Sequence, residues 1–272
     1  MTNAMRMYVP APPLSDFVEL IWLYEGYRQP HLKERVLPTG TVELVINLCD
    51  DVARVYDREK TDRFQTYPGS LVSGAHSRFF VIDTAEQASV LGVHFKPGGA
   101  FPFLGVPAGE LQDTHVSLES LWGRRAGELR QRLLETRAPG DKFEILEEAL
   151  LAQAWRPLER HPAIRFALEE FRTGRPVTDV VEQIGLSRRH FIELFRDEVG
   201  LTPKLFCRVQ RFQQVLRLID AGRRIEWANL AQACGYFDQA HFIHDFRAFS
   251  GINPTAYAAQ RTEHMNHVPL DG

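Results

Sequence analysis

Three cysteines in 272 residues, Cys49, Cys207 and Cys234, are too few and too far apart for a disulfide framework, and no two have the C-x-x-C spacing of a metal or redox pair. A reducing, cytoplasmic setting is expected. No apolar run approaches the roughly 18 residues of a membrane span. The opening MTNAMRMYVPAPP lacks the sustained apolar stretch of a secretion signal, so no membrane partner is expected. Nor does one sign of charge dominate: 32 Lys+Arg against 35 Asp+Glu leave −3, which does not advertise a nucleic-acid binder. The deficit is unevenly spread, however. Residues 157–265 carry 15 basic and 13 acidic side chains, a net +2, and the rest of the chain carries −5. His76 and His94 lack the H-x-H…E…H pattern of a metal-binding small barrel. No P-loop surrounds Lys96-Pro-Gly-Gly99. His241 and His244, three apart, have no carboxylate or Cys partner at ligand spacing. No metal, no cofactor and no catalytic residue are expected.

What is present divides the chain in two, an α+β protein with a small N-terminal β-barrel or sandwich and a C-terminal all-α domain. Residues 1–156 open with β-branched runs bounded by Pro and Gly: Val42–Leu48, Val90–Phe95, Glu19–Tyr24, and shorter ones at Leu71–Val72 and Phe79–Ile82. Short strands separated by turns imply an antiparallel arrangement. From 115 to 156 apolar residues recur at helical spacing, giving two helices parted by Pro139-Gly140. Their stripes suit either covering the sheet or dimerisation; the spacing alone does not choose. Arg156-Pro157 to His161-Pro162 reads as a linker, residues 157–265 read as all helical, and 266–272 as a disordered tail.

The helical part says nearly the same thing twice. Gly185, His190, Phe191, Phe195, Arg196, Gly200 and Pro203 are echoed by Gly235, His241, Phe242, Phe246, Arg247, Gly251 and Pro254. The offset is 51 from His190 onward and 50 at the turn glycines. Each copy reads as helix, glycine turn, helix, the unit that places a helix in a DNA major groove. Phe191 with Phe195, and Phe242 with Phe246, lie four apart and face the core. Ala231, Ala233 and the two turn glycines would permit close packing. The opposite faces carry the candidate DNA contacts. In the first copy these are Ser187, Arg188, Arg189, His190, Ile192, Glu193 and Arg196. In the second they are Asp238, Gln239, Ala240, His241, Ile243, His244 and Arg247. Arg suits guanine, Gln adenine and Ile a thymine methyl. Arg196 and Arg247 fit phosphate or salt-bridge roles. Between the copies, Pro203–Ala221 would make a rod of about 28 Å, near the ~34 Å repeat of successive major grooves. Gly222 would end it.

Residues from about 164 to 260 resemble the paired helix-turn-helix units of the AraC/XylS family of transcription regulators. The resemblance rests on Ile184-Gly-Leu-Ser187, Arg189-His-Phe191, Gly200-Leu-Thr-Pro203, Ala233-Cys-Gly-Tyr236, Asp238-Gln-Ala-His-Phe242 and Gly251-Ile-Asn-Pro-Thr-Ala-Tyr257. It implies that the helices beginning at Ser187 and Asp238 are the recognition helices. Glu193 and His244 depart from it, standing where Arg is common. Leu37-Pro-Thr-Gly40, Glu43–Leu48 and Gly92–Gly99 are similar to the β-rich sensor domain of one subgroup. That likeness implies a small-molecule effector and a homodimer, with RNA polymerase a partner of any activator. Candidate effector contacts are Trp22, Tyr24, Glu43, Asn47, Phe79 and His94. The expected function is a sequence-specific regulator binding about 15–20 base pairs of double-stranded DNA. The alternatives are a DNA-repair alkyltransferase using a reactive Cys, with Cys49 a poor candidate, and a pure protein-interaction module.

Overall fold

The computed structural model describes residues 4–26, 29–221 and 226–270. The N-terminal strands form two separate sheets and no closed barrel. One holds β1 (Ala4–Tyr8), β2 (Val18–Glu25), β9 (Ser89–Phe95), β4 (Glu43–Asn47), β7 (Ser70–Ser73) and β10 (His115–Ser117), in that order. The other runs β11 (His267–Pro269), β3 (Lys33–Val36), β8 (Phe80–Asp83), β5 (Val52–Tyr56) and β6 (Phe64–Pro68). Every pairing among these described strands is antiparallel. Alternation decides the faces of the first sheet. Ile21, Leu44, Val72 and Val93 share one register row and are all buried in the main core. The next row, His94–Glu43–Ser73–His115, points the other way, toward the second sheet.

The helices after residue 100 cover the apolar face. They are α1 (Phe101–Leu104), α2 (Leu118–Trp122), α3 (Arg124–Glu135) and α4 (Pro139–Gln153). Tyr8 stacks on Phe143 at 5.2 Å and donates to Glu147, and Trp122 Nε1 donates to the Phe103 carbonyl. Arg130 ties α3 to the Asn47 and Asp50 carbonyls. Leu129, Leu133, Phe143, Leu146 and Leu150 of the stripe on α3 and α4 are buried in the same core as the sheet, while Leu134 and Leu151 stay exposed.

The C-terminal half contains α5 (Pro162–Arg172), α6 (Val177–Ile184), α7 (Arg188–Val199), α8 (Pro203–Asp220), α9 (Trp227–Ala233), α10 (Gln239–Ser250) and α11 (Pro254–Gln260). Their starts follow from side-chain capping. Ser187, Thr202, Asp238 and Asn253 each accept a backbone N–H three residues on. Gly200 and Gly251 end the recognition helices in the left-handed region, φ +93° and +74°. The turn glycines Gly185 and Gly235 share that conformation. A Cβ on either would meet nothing within 4 Å, so backbone freedom rather than close packing explains them, and Ala233 is exposed. Gly222, the expected stop of the rod, lies outside the described residues.

The tail differs from the expectation of disorder. His267–Pro269 pairs with β3, Tyr257 Oη donates to the Met265 carbonyl, and Gln213 bonds Asn266. His267 also sits 2.7 Å from Glu34, a carboxylate 1% exposed. The segment is polar and shows no periodicity, so its partners lie far away in sequence. Removing residues 262–272 is expected to leave β3 as an open edge and Glu34 short of a partner. The expected cost is about 2–4 kcal/mol, read as a lower urea midpoint.

Candidate nucleic-acid interface and sensor cavity

The two recognition helices present their polar sides outward, each from a small aromatic core. Phe191, Phe195, Phe242 and Phe246 are fully buried. Ser187, Arg188, Arg189, His190 and Glu193 are exposed on α7, with Ile192 half-buried. Asp238, Gln239, Ala240, His241, His244 and Arg247 are exposed at α10, with Ile243 half-buried. Ser187 and Asp238 act as caps. Arg189 forms an exposed ion pair with Glu193 at 2.9 Å, so Glu193 holds the guanidinium in place. Arg196 is exposed, its Nη2 donates to the Gly109 carbonyl at 3.3 Å, and its stem packs where a Cβ on Gly109 would stand.

The connecting helix α8 has 18 residues, about 27 Å. It is joined to α10 by a charge pair the sequence reading missed. Arg208 donates two hydrogen bonds to Asp245, at 2.6 and 3.3 Å, and Asp245 is 2% exposed. The clue was available: Asp245 falls on the apolar stripe of α10, between Phe242 and Phe249. A groove running across α8 to the α9–α10 turn is lined by Lys96, Arg165, Lys204, Arg211 and Arg217 among others, with more basic than acidic side chains. Local positive surface thus exists despite the net charge.

In the N-terminal domain Trp22, Tyr24, Glu43 and His94 share the inter-sheet side. Trp22 packs over Gly92, where a Cβ would lie 2.2 Å from its ring, and its buried Nε1 has no partner. Tyr24 Oη lies 3.3 Å from His264 of the tail. His94 and Glu43 pair at 3.0 Å. Burial pushes the His94 imidazole down, yet the charge and hydrogen bond of Glu43 more than offset this and hold it above the ordinary value. Burial likewise pushes Glu43 up, and His94 brings it net below the usual carboxylate range. Asn47 is not a cavity residue. Its side chain donates to the Glu86 carbonyl and accepts from the Cys49 and Asp50 N–H groups, so it builds a turn. Phe79 sits at the domain junction, its ring beside Gly251. Sequence reading also missed His76 and His115, which both approach Ser73 Oγ, at 3.1 and 3.3 Å.

The cysteines are poor nucleophiles. Cys49 is exposed, but local burial and Asp50 raise its thiol pKa; burial pushes Cys207 up to about 11 and also raises buried Cys234. Among the described residues no helix is long and apolar enough to cross a membrane, and no group of three His, Cys, Asp or Glu could hold a metal ion.

Residues 180–260 match the helix-turn-helix domain family. Residues 6–117 match a family described only as a domain of unknown function, DUF6597. The chain is 29% identical over 100 residues to the raffinose operon transcriptional regulatory protein RafR of Pediococcus pentosaceus, covering 35% of this chain and 34% of that protein. It is 33% identical over 72 residues to the probable transcriptional regulator LumQ of Photobacterium leiognathi, covering 26% and 29%. The chain thus spans about a third of the length of the curated relatives it matches. Among solved structures, Vibrio cholerae ToxT with a bound unsaturated fatty acid is 10% identical, with TM-score 0.46 over 97% of this chain and 99% of that one.

Proposed function

We propose, from a helical domain of the AraC/XylS helix-turn-helix type shared with transcriptional regulators, that this chain is a sequence-specific DNA-binding transcription regulator of the cytoplasm. One observation carries the reading. Two capped helices, each cored by a Phe pair, turn their polar faces to solvent, one preceding and one following a connecting helix about 27 Å long. The rod is somewhat shorter than one duplex turn, and bending of the DNA makes up the difference. Bases are read by Arg188, Arg189 and Ile192 in one groove and by Gln239, Ala240 and Ile243 in the next. His190, Glu193, His241, His244 and Arg247 flank them. A small-molecule effector binds between the two sheets, on the side that carries Trp22, Tyr24, Glu43 and His94. A homodimer would use a surface other than the apolar stripe of α3 and α4. RNA polymerase is a partner if the protein activates.

Selection of bound sequences from a random DNA pool supplies the operator. On that operator Arg189→Ala is expected to weaken binding by about 1–3 kcal/mol and relax one base position. A footprint titration with affinity and preference both unchanged would remove Arg189 from the interface.

A further inference from the structure

The loop between β7 and β8 touches both recognition helices and also lines a cleft. Ala75 lies 3.0 Å from where a Cβ on Gly200 would stand, at the end of α7. Phe79 donates its N–H to the Phe249 carbonyl near the end of α10, and its ring blocks any Cβ on Gly251. Gly200 and Gly251 are the same position in the two repeats. One short loop of the sensor therefore bears on the C-terminal ends of both helices.

On its other side the loop faces a cleft of about 750 Å³ between the β5–β6 hairpin and β10. Such a volume suits a small organic ligand. Its walls include Tyr67, His76, Phe80 and His115. Phe80 lies 4.6 Å from each imidazole, and the two imidazoles lie 4.7 Å apart. Ser73 Oγ, buried behind them, is shared between the two imidazoles. Arg58, Arg63 and Arg78 line the same cleft, all three are exposed, and none has an ion-pair partner among the described residues. Two carboxylates line the cleft against these three guanidiniums, and Asp113 lies 3.9 Å from the His76 ring. Asp57 accepts the Glu59 and Lys60 N–H groups, and Asp113 accepts from the Ser77 N–H and hydroxyl. Aromatic walls with unpaired guanidiniums beside them suit a flat ring that carries an anionic group.

We propose that this cleft binds a planar aromatic acid, ring against Tyr67, Phe80, His76 and His115 and anion toward Arg58, Arg63 and Arg78, and that the Gly74–Phe80 loop passes its arrival to both recognition helices. The proposal rests on the regulator reading and adds a ligand site apart from the side that carries Trp22 and His94, with its ligand class and its route. Seating a ring against His76 and Phe80 presses on the immediate neighbours of Ala75 and Phe79, the two residues that bear on Gly200 and Gly251. Both helices then move together, which a two-groove reader requires.

The test is calorimetric titration of the full chain with 2-naphthoate, naphthalene-2-methanol and octanoate. Naphthoate is expected to bind at least about tenfold tighter than the neutral alcohol and the flexible acid, a difference of about 1.4 kcal/mol. Arg58→Ala/Arg63→Ala/Arg78→Ala, all surface changes, is expected to lose that preference while keeping its circular dichroism spectrum. Phe79→Leu, titrated to saturation with naphthoate, is expected to lose the ligand's effect on operator affinity. Equal binding of the alcohol, equal binding of octanoate, or an unchanged triple-arginine variant would overturn the ligand class. Naphthoate binding with an operator response that survives Phe79→Leu would overturn the route. A protein that ignores naphthoate yet changes operator affinity with metabolite extract refutes this cleft and leaves the regulator reading standing. Failure to bind any selected DNA refutes that reading instead.

Discussion

Arg208→Met is expected to cost about 2–4 kcal/mol of stability, because it strands the Asp245 carboxylate in the core of the second helix-turn-helix unit. Asp245 is 2% exposed, and the Arg208 side chain, 32% exposed, donates to both of its oxygens, at 2.6 and 3.3 Å. Removing one partner of a buried pair typically costs about 3–5 kcal/mol. The part-open guanidinium lowers that figure through solvent screening. The double variant Arg208→Met/Asp245→Leu is expected to recover most of the loss, since an apolar pair of similar volume satisfies the same space. Urea denaturation of the two singles and the double gives the coupling directly. Operator binding adds a functional readout. Arg208 joins α8 to α10, so its loss is expected to weaken the second half-site more than the first. A loss below about 0.5 kcal/mol would mean that the pair is screened and that aromatic packing alone sets the α8–α10 angle.

Acid is expected to destabilise the N-terminal domain through His76. Burial lowers its pKa to about 4, against smaller upward pulls from Asp113 and Glu43 and a downward push from Arg58; His115 packs beside it, Ser73 bonds it, and Phe80 covers it. The folded state therefore holds the imidazole neutral, whereas the unfolded chain takes up a proton below about 6.5. The stability linked to this group is fully present above pH 6.5 and is lost as pH falls toward 4. The loss is about 3 kcal/mol for a shift of that size. His115, lowered by burial and by His76, adds to it in the same direction. Thermal unfolding of His76→Gln between pH 4 and 7.5 is expected to show a shallower acid limb than the parent. Identical limbs would mean that the His76 imidazole stays accessible to protons in the folded state. His94 acts with the opposite sign. Its raised pKa gives stability that is present below about 6.5 and fades as pH rises through the folded value.

The helical domain was legible because its signals are local. Capping at Ser187, Thr202, Asp238 and Asn253 sits three residues from the groups it satisfies. A Phe pair at spacing four marks the buried face wherever the helix packs. α6 ends at Gly185, the turn glycine of the first copy, in the left-handed region. The sheet was legible in part. Val42–Leu48 and Val90–Phe95 are central strands, buried and rich in β-branched residues. β5 and β6 went unread because VARVY, one strand in from the edge, is half-covered, FQTYP at the edge is exposed, and neither shows clean alternation. The candidate DNA contacts lie exposed on α7 and α10, Arg196 among them, with Ile192 and Ile243 half-buried; what the spacing did not show is the second tie of Arg196. Its partner is a carbonyl 87 residues earlier, and no spacing rule reaches that far.

Local chemistry along the chain was enough for the element types, the helix ends, the twin units and the faces they turn outward, since each depends on neighbours within about four residues. Folding added what depends on distant partners. It set two sheets rather than a barrel, the return of His267–Pro269 to β3, and the Arg208–Asp245 pair. It also wedged one sensor loop against Gly200 and Gly251. The reason is physical: a side chain's burial and its hydrogen-bond partners are set by whatever surface packs on it, and that surface is contributed by residues tens to hundreds of positions away.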